Sequence, residues 1–191
     1  AGCPIDPICV TDFLNRIIYA GYTANLGAIT ITSPNNENDF TAANGAIELV
    51  VGDTITGIRS FRDKVIIFCN TSIHQLTGTG IITAGIPDFN VSPISRNIGC
   101  IAPDSIQEVN GDIIYLASDG IRTVSGTGRV GDFELGNLSK KIQPVLNTLT
   151  TEHISSVVIP NKSQYRLFYQ DSATLEPICV GILGGLRVTN S

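Results

Sequence analysis

The chain has 191 residues, of which 42% are hydrophobic and 15% are charged, and its formal net charge is −5. Globular chains carry about 25% charged residues, and this low charge with a mean hydropathy of +0.22 excludes a disordered polar chain. We expect no membrane anchor, because no apolar run reaches the roughly 18 residues of a span, and no phosphate-gripping surface, because Asp and Glu outnumber Lys and Arg by 17 to 12.

The length predicts a single domain over residues 1–191. Residues 1–4 lack the basic and apolar regions of a signal peptide, and the sequence contains no Met, so we expect a trimmed chain or an excerpt of a longer one. Five cysteines without a C-x-x-C spacing predict neither a disulfide framework nor a zinc site. We interpret them as small apolar residues on strands, and they are Cys3, Cys9, Cys69, Cys100 and Cys179.

The first fifty residues predict strands at 15–19, 28–32 and 47–51, with a polar loop over residues 33–40 between the last two. Further along, residues 155–159 and 165–170 flank the turn 160–163 and predict a hairpin. One helix is predicted over about 139–149, where Ser139 can cap the N-terminus and Leu138, Ile142, Leu146 and Leu149 fall near one face.

An internal repeat dominates the middle of the chain. Residues 58–80 (IRSFRDKVIIFCNTSIHQLTGTG) align without a gap on residues 106–128 (IQEVNGDIIYLASDGIRTVSGTG), at an offset of 48 positions. Each copy predicts three strands, because Asn110-Gly111 is a hairpin signal and residues 118–120 and 70–72 supply a second turn. A three-stranded meander recurring at about 48 residues is typical of propeller blades. The predicted fold is therefore all-β, with β-propeller-like blades and one short helix.

The ends of the chain also resemble each other. Residues 6–10 (DPICV) recur as residues 176–180 (EPICV). This match predicts that another blade begins near the second segment.

Catalytic chemistry finds little support in the sequence. His74 aligns with Arg122 at a strand position expected to face solvent, and His153 is expected in an exposed loop. Neither a G-x-S-x-G elbow nor an H-E-x-x-H motif occurs. Asp63 and Asp112 lie near hairpin turns, but nothing pairs two carboxylates as a glycosidase requires. We therefore predict no enzyme and no catalytic residues.

Ligand sites are equally weak in the sequence. Residues 35–39 (NNEND) supply oxygen ligands but lack the spacing of a calcium loop, so we interpret them as a solvated turn. Gly78-Thr79-Gly80 and Gly126-Thr127-Gly128 lack the lysine of a phosphate-binding loop and are interpreted as turns that link blades. We predict no metal site and no cofactor.

Several sequence phrases occur in the order found in a known type of virion protein. They are residues 15–22 (NRIIYAGY), 29–34 (ITITSP), 39–40 (DF), 55–58 (ITGI), 64–68 (KVIIF), 72–78 (SIHQLTG), 97–106 (NIGCIAPDSI), 111–116 (GDIIYL), 118–121 (SDGI) and 165–169 (YRLFY). Over residues 13–170 this order resembles the β-propeller region of bacteriophage tail proteins. These are the nozzle (tail tubular) proteins of short-tailed phages and the related packaged-DNA-stabilisation proteins, which are several times longer.

The resemblance implies a structural subunit of the virion tail, assembled in the host cytoplasm. It implies that copies of the chain form a ring, such as a hexamer, against adaptor, portal and fibre proteins around the DNA ejection channel. DNA would pass without sequence-specific binding, which suits a net negative subunit. Unpaired strand edges predict that the chain does not remain a monomer. The alternative is a generic β-propeller module that binds protein or glycan, such as a baseplate or fibre-attachment component.

Overall fold

The computed structural model describes residues 3–109, 111–127, 154–162, 164–170 and 177–184. These residues are mostly strands in antiparallel sheets, so the prediction of an all-β fold is confirmed. The chain divides into two compact units, unit 1 over residues 1–99 and unit 2 over residues 100–191. Each unit contains one copy of the repeat, and the predictions of one domain and of a propeller arrangement stay predictions.

Unit 1 contains two four-stranded sheets and a short hairpin. The first sheet has the order β1 (Cys9–Phe13), β2 (Arg16–Tyr22), β3 (Asn25–Ile31), β4 (Ile47–Val50). The second sheet has the order β10 (Asn90–Ser95), β7 (Ile73–Thr77), β6 (Lys64–Cys69), β5 (Ile55–Phe61). The separate hairpin pairs β8 (Ile82–Thr83) with β9 (Ile86–Pro87), and a 3-10 turn spans Ala42–Asn44.

The two sheets of unit 1 pack face to face around one hydrophobic core. The first sheet contributes Phe13, Ile18, Ile29 and Ile31, and the second contributes Ile58, Val65, Ile67 and Leu76. Side chains of a strand alternate between its faces, which is why alternate positions enter this core. Each buried Ile or Leu contributes about 1.5–3 kcal/mol, so this interface is the main source of stability in unit 1.

The strand β6 is buried on both of its faces. Val65 and Ile67 enter the core between the sheets, while Ile66 and Phe68 on the opposite face are 1% and 0% exposed. Burial on both faces explains the uninterrupted apolar run of this strand, which lacks the alternation of a half-exposed strand.

The described residues of unit 2 form two three-stranded sheets. The first has the order β11 (Gln107–Val109), β12 (Asp112–Ala117), β13 (Gly120–Thr123), and the second has the order β14 (Ile154–Ile159), β15 (Gln164–Gln170), β16 (Pro177–Gly184). A single helical turn, α1 (Val124–Thr127), follows β13, and 3-10 turns span Pro103–Ser105 and Pro160–Lys162. The sheets share a core in which Ile114 and Leu116 pack with Tyr165 and Leu167.

The two copies of the repeat have the same strand register. In every strand pair that the copies share, both partners are displaced by the same 48 positions. Examples are Ser60 opposite Val65 and Glu108 opposite Ile113, then Phe68 opposite Ile73 and Leu116 opposite Ile121. Since a slip of one residue would exchange the two faces of a strand, the shared register keeps the buried positions equivalent. The strands β6 and β12 accordingly have the same burial pattern.

The copies diverge after their third strands. Gly78 has φ +145°, and a Cβ there would collide with the Asp88 carbonyl, so this segment is a tight connection toward β10. The equivalent residues of the second copy form α1 instead. Both segments were predicted to be turns that link blades. That prediction is wrong for Gly126 and Thr127, which lie in α1. Gly128 lies outside the described residues.

Other sequence predictions need correction or lie outside the described residues. Residues 177–180 begin the strand β16, which pairs with β15, so the prediction that another blade begins there is wrong. The predicted helix over 139–149 lies outside the described residues, as do Asn110 and His153. Within the described part of the chain, no helix has the length and apolar character needed to cross a bilayer.

Candidate functional site

A cleft of about 610 Å³ opens on the outer face of the first sheet of unit 1. Its lining residues are Val10, Asp12, Asn15, Arg16, Ile17, Tyr19, Asn35, Asn36 and Glu37. Val10 lies opposite Tyr19, and Asp12 lies opposite Ile17, in the antiparallel pair β1–β2. These four side chains therefore share one face of the hairpin, which is the face turned away from the core.

The hairpin turn places Asn15 at one end of the cleft. Phe13 pairs with Arg16, which leaves Leu14 and Asn15 as a two-residue turn with φ values of 51° and 56°. Two positive φ values are typical of a type I′ turn, and Asn tolerates this region better than Leu. Across the cleft, Asn35 has φ 58°, and its backbone N–H donates to the Asn15 carbonyl over 2.8 Å.

The loop that forms the other wall is held by its own hydrogen bonds. Asp39 accepts from the Thr41 backbone N–H at 2.8 Å and from the Asn44 amide at 2.7 Å. These bonds, the Asn44 bond foremost, hold the pKa of Asp39 well below its usual range. Ser33 donates its backbone N–H to the Asp39 carbonyl over 2.9 Å. Asp39 therefore anchors one end of the loop, through its carboxylate to Thr41 and Asn44 and through its carbonyl to Ser33.

The cleft combines polar side chains with an apolar floor. Asp12 and Glu37 carry negative charge, and Tyr19 packs its ring against Phe40 at a centroid distance of 5.8 Å. Burial raises the pKa of Tyr19, and Glu37 raises it further, so its hydroxyl remains protonated. Among the described residues, no group of three or more His, Cys, Asp or Glu side chains could hold a metal ion. The cleft therefore brings polar and apolar side chains together on one face of the hairpin.

A second polar cluster surrounds Asp53. Its Oδ2 accepts from the Ser72 hydroxyl at 2.7 Å and from Thr71 at 2.9 Å, and His74 Nε2 lies 3.0 Å from the Ser72 Oγ. In a hydrolytic triad the histidine lies between the serine and the acid, whereas here Ser72 lies between Asp53 and His74. The Asp53 carboxylate accepts a hydrogen bond from the Ser72 hydroxyl, so the order of the three groups differs from that of a triad.

His74 is half-buried, although the sequence analysis placed it on a solvent-facing position. Burial lowers its pKa, and the nearby Asp53 opposes that effect. The aligned Arg122 is 2% exposed and forms a bidentate ion pair with Asp119, with an Nε to Oδ1 distance of 2.8 Å. The expectation of a solvent-facing position is therefore wrong in both copies.

Arg16 is a buried charged side chain that the sequence did not single out. It is 2% exposed and donates to three backbone carbonyls, at 2.7 Å to Thr32, 2.7 Å to Gly45 and 3.1 Å to Gly80. Its guanidinium lies 5.4 Å from the ring centre of Phe89. Burial lowers the pKa of Arg16, but an arginine in this setting remains charged. The contacts identify it as a structural tie between distant segments.

The remaining candidates that the structure describes are the carboxylates Asp63 and Asp112 and the cysteines. Asp63 is exposed in the turn after β5, and Asp112 accepts from the Ile113 N–H at 2.8 Å and from Ser125. Cys69 is buried on β6, as the interpretation of apolar strand residues predicts. Cys100 is buried but lies outside any strand, and Cys3 is exposed and outside any strand, so the interpretation is wrong for these two.

No protein-family model and no curated protein matches the chain.

Proposed function

We propose that this chain is a structural subunit of a bacteriophage tail that forms part of the wall of the DNA ejection channel in an oligomeric ring. The observation that carries the proposal is the tandem three-stranded unit with one register in both copies. It accompanies the ordered sequence phrases that resemble the propeller region of tail nozzle proteins. A repeated sheet that packs on a neighbouring sheet is how propeller blades are built.

The polar groups of the described residues support a scaffold. No buried side-chain nitrogen or oxygen among them lacks a hydrogen-bond partner. Reactive sites commonly leave polar groups unsatisfied or strained. The hydrogen bonds around Asp53 and Arg16 hold loop segments in place. Such internal bonding suits a rigid wall.

Exposed apolar side chains supply a surface for ring assembly. The hairpin β8–β9 and the residue before it expose Ile81 by 65%, Ile82 by 38% and Ile86 by 67%. Clustered exposed isoleucines are typical of protein–protein contacts. We assign this hairpin to the contact between neighbouring copies in the ring.

The assembly test measures the native mass and symmetry of the 191-residue chain by light scattering and electron microscopy. The expected result is a ring whose mass is a multiple of 20.3 kDa. Ile86→Asp is expected to dissociate it, whereas Val157→Asp, a matched change at a 43% exposed strand position, is expected to leave it intact. A compact 20.3 kDa particle at micromolar concentration would overturn the proposal.

The channel test measures DNA retention by the assembled ring. A subunit of net charge −5 forms few phosphate contacts, so we expect weak binding without sequence preference. Tight, salt-sensitive retention of DNA would contradict a wall that lets DNA slide past.

A further inference from the structure

We propose that the cleft between the β1–β2 hairpin and the loop of residues 33–40 binds a neutral glycan. Asp12, Asn15 and Asn35 would bind its hydroxyl groups, and Tyr19 would support a sugar ring. This inference goes beyond the proposed role as a channel wall and does not depend on ring assembly. A tail protein with such a site would contact polysaccharide on a cell surface.

The dimensions of the cleft suit a small saccharide. Its volume of about 610 Å³ lies within the roughly 300–1,000 Å³ of ligand pockets. All of its lining residues come from β1, β2, their turn and the loop of unit 1. The lining residues that the structure describes therefore all belong to unit 1.

The polar side chains around the cleft are available to a ligand. Within the described part of the chain, no residue makes a side-chain hydrogen bond to Asp12, Asn15, Tyr19 or Asn35, although other polar clusters of unit 1 are internally bonded. Amides both donate and accept, and carboxylates accept. Sugar hydroxyls both donate and accept. This mixture of amides and a carboxylate can therefore bind two adjacent hydroxyl groups of one sugar residue.

The floor of the cleft matches the apolar side of a sugar ring. Val10, Ile17 and Tyr19 lie on one face of the hairpin, and Phe40 supports the tyrosine ring from the side. A flat aromatic ring held in place covers the C–H groups of a pyranose at little cost in conformational entropy.

The cleft is preorganised by its backbone. Asn15 and Asn35 both hold positive φ values, and the hydrogen bond between their main chains joins the two walls. Backbone in this region is costly for a side-chain-bearing residue and is enriched at binding sites. Because folding already fixes both asparagines, binding would order few further groups.

The charges of the cleft narrow the class of ligand. Arg16 also lines the cleft, but its guanidinium is 2% exposed and donates to three backbone carbonyls, so the accessible charges are those of Asp12 and Glu37. These carboxylates disfavour phosphate, sulfate and acidic sugars, because like charges repel at short range. A basic peptide would also be attracted to these carboxylates. Three asparagine amides and one tyrosine outnumber the two carboxylates, which favours hydroxyl groups over ammonium or guanidinium groups as the principal partners.

The experiment screens the 191-residue chain against an array of neutral and acidic glycans and then titrates the best neutral glycan by calorimetry. Asn15→Gly and Asn35→Gly retain the positive φ and remove only the amides. Each is expected to weaken binding about fivefold to tenfold, the loss of one or two hydrogen bonds. Tyr19→Leu is expected to weaken it at least as much, and Asp63→Asn, an exposed acid in another turn, is the control.

Circular dichroism and the urea midpoint of each variant establish that it is folded. Absence of binding to any neutral glycan would overturn the proposal. So would neutral-glycan binding that survives both glycine variants unchanged. Binding of a Lys-rich or Arg-rich peptide that depends on Asp12 and Glu37, without glycan binding, would overturn it in favour of a peptide site.

Discussion

Replacing Arg16 with methionine removes the tie that holds three loop segments of unit 1 together. Methionine fills a similar volume, but the carbonyls of Thr32, Gly45 and Gly80 lose their donor. Each lost hydrogen bond costs about 1 kcal/mol, and the contact with Phe89 adds about 0.5–1 kcal/mol. Removing the buried charge offsets part of this cost. The expected loss in the free energy of unfolding of unit 1 is therefore about 2–4 kcal/mol.

Urea unfolding followed by far-UV circular dichroism measures the loss, and hydrogen exchange localises it to residues 41–46 and 78–81. Arg16→Lys is expected to recover only part of it, because one ammonium cannot serve three divergent acceptors. The matched control is Arg59→Met at an exposed position of β5, with an effect within about 0.5 kcal/mol. If Arg16→Met cost no more than that control, the assignment of Arg16 as a structural tie would be refuted.

Three further predictions concern unit 1. Burial raises the pKa of Asp53, but hydrogen bonds from Ser72 and Thr71 outweigh this effect and set the pKa below the ordinary 3.8. The stability that the charged carboxylate contributes above about pH 4 is therefore lost as the pH falls further. In urea titrations, the stability of Asp53→Asn should depend less on pH than that of the unchanged protein. Burial raises the pKa of Cys69 to about 12, so mass-spectrometric mapping at about pH 8 should find the native Cys69 unlabelled by a thiol reagent. Leu14 has φ 51°, which Asn tolerates better than Leu. Leu14→Asn should therefore raise the free energy of unfolding by about 0.5–1 kcal/mol, measured as a higher urea midpoint. A lower midpoint would contradict the assignment of the turn.

The sequence predicts the central strands well because local signals agree with one another. The three strands predicted for each copy of the repeat are present as β5, β6 and β7 in the first copy and as β11, β12 and β13 in the second. Apolar periodicity and turn residues both depend on neighbours in the chain, so a local pattern determines them. The strand β10 was missed because Pro93 argues against a strand; it lies on the edge strand beside a bulge, where a missing N–H is tolerated.

The cleft and the Arg16 tie could not be predicted because they depend on distant segments. The partners of Arg16 lie 16, 29 and 64 positions away in the chain, and each is a backbone carbonyl, which has no residue signature. The loop over residues 35–39 was noticed for its oxygen atoms. Its place against the Asn15 turn depends on a hydrogen bond between two main chains, and that bond also has no counterpart in the residue types.

Because all three acceptors of Arg16 are backbone carbonyls, its hydrogen bonds in unit 1 do not depend on a titrating group. A guanidinium keeps its proton, and a backbone carbonyl gains none, over the whole range in which aspartates titrate. Acidification therefore weakens the hydrogen bonds that Thr71 and Ser72 donate to Asp53. The hydrogen bonds from Arg16 to the carbonyls of Thr32, Gly45 and Gly80 remain. We therefore expect acid to loosen the segment around Thr71 and Ser72 before the segments that Arg16 holds.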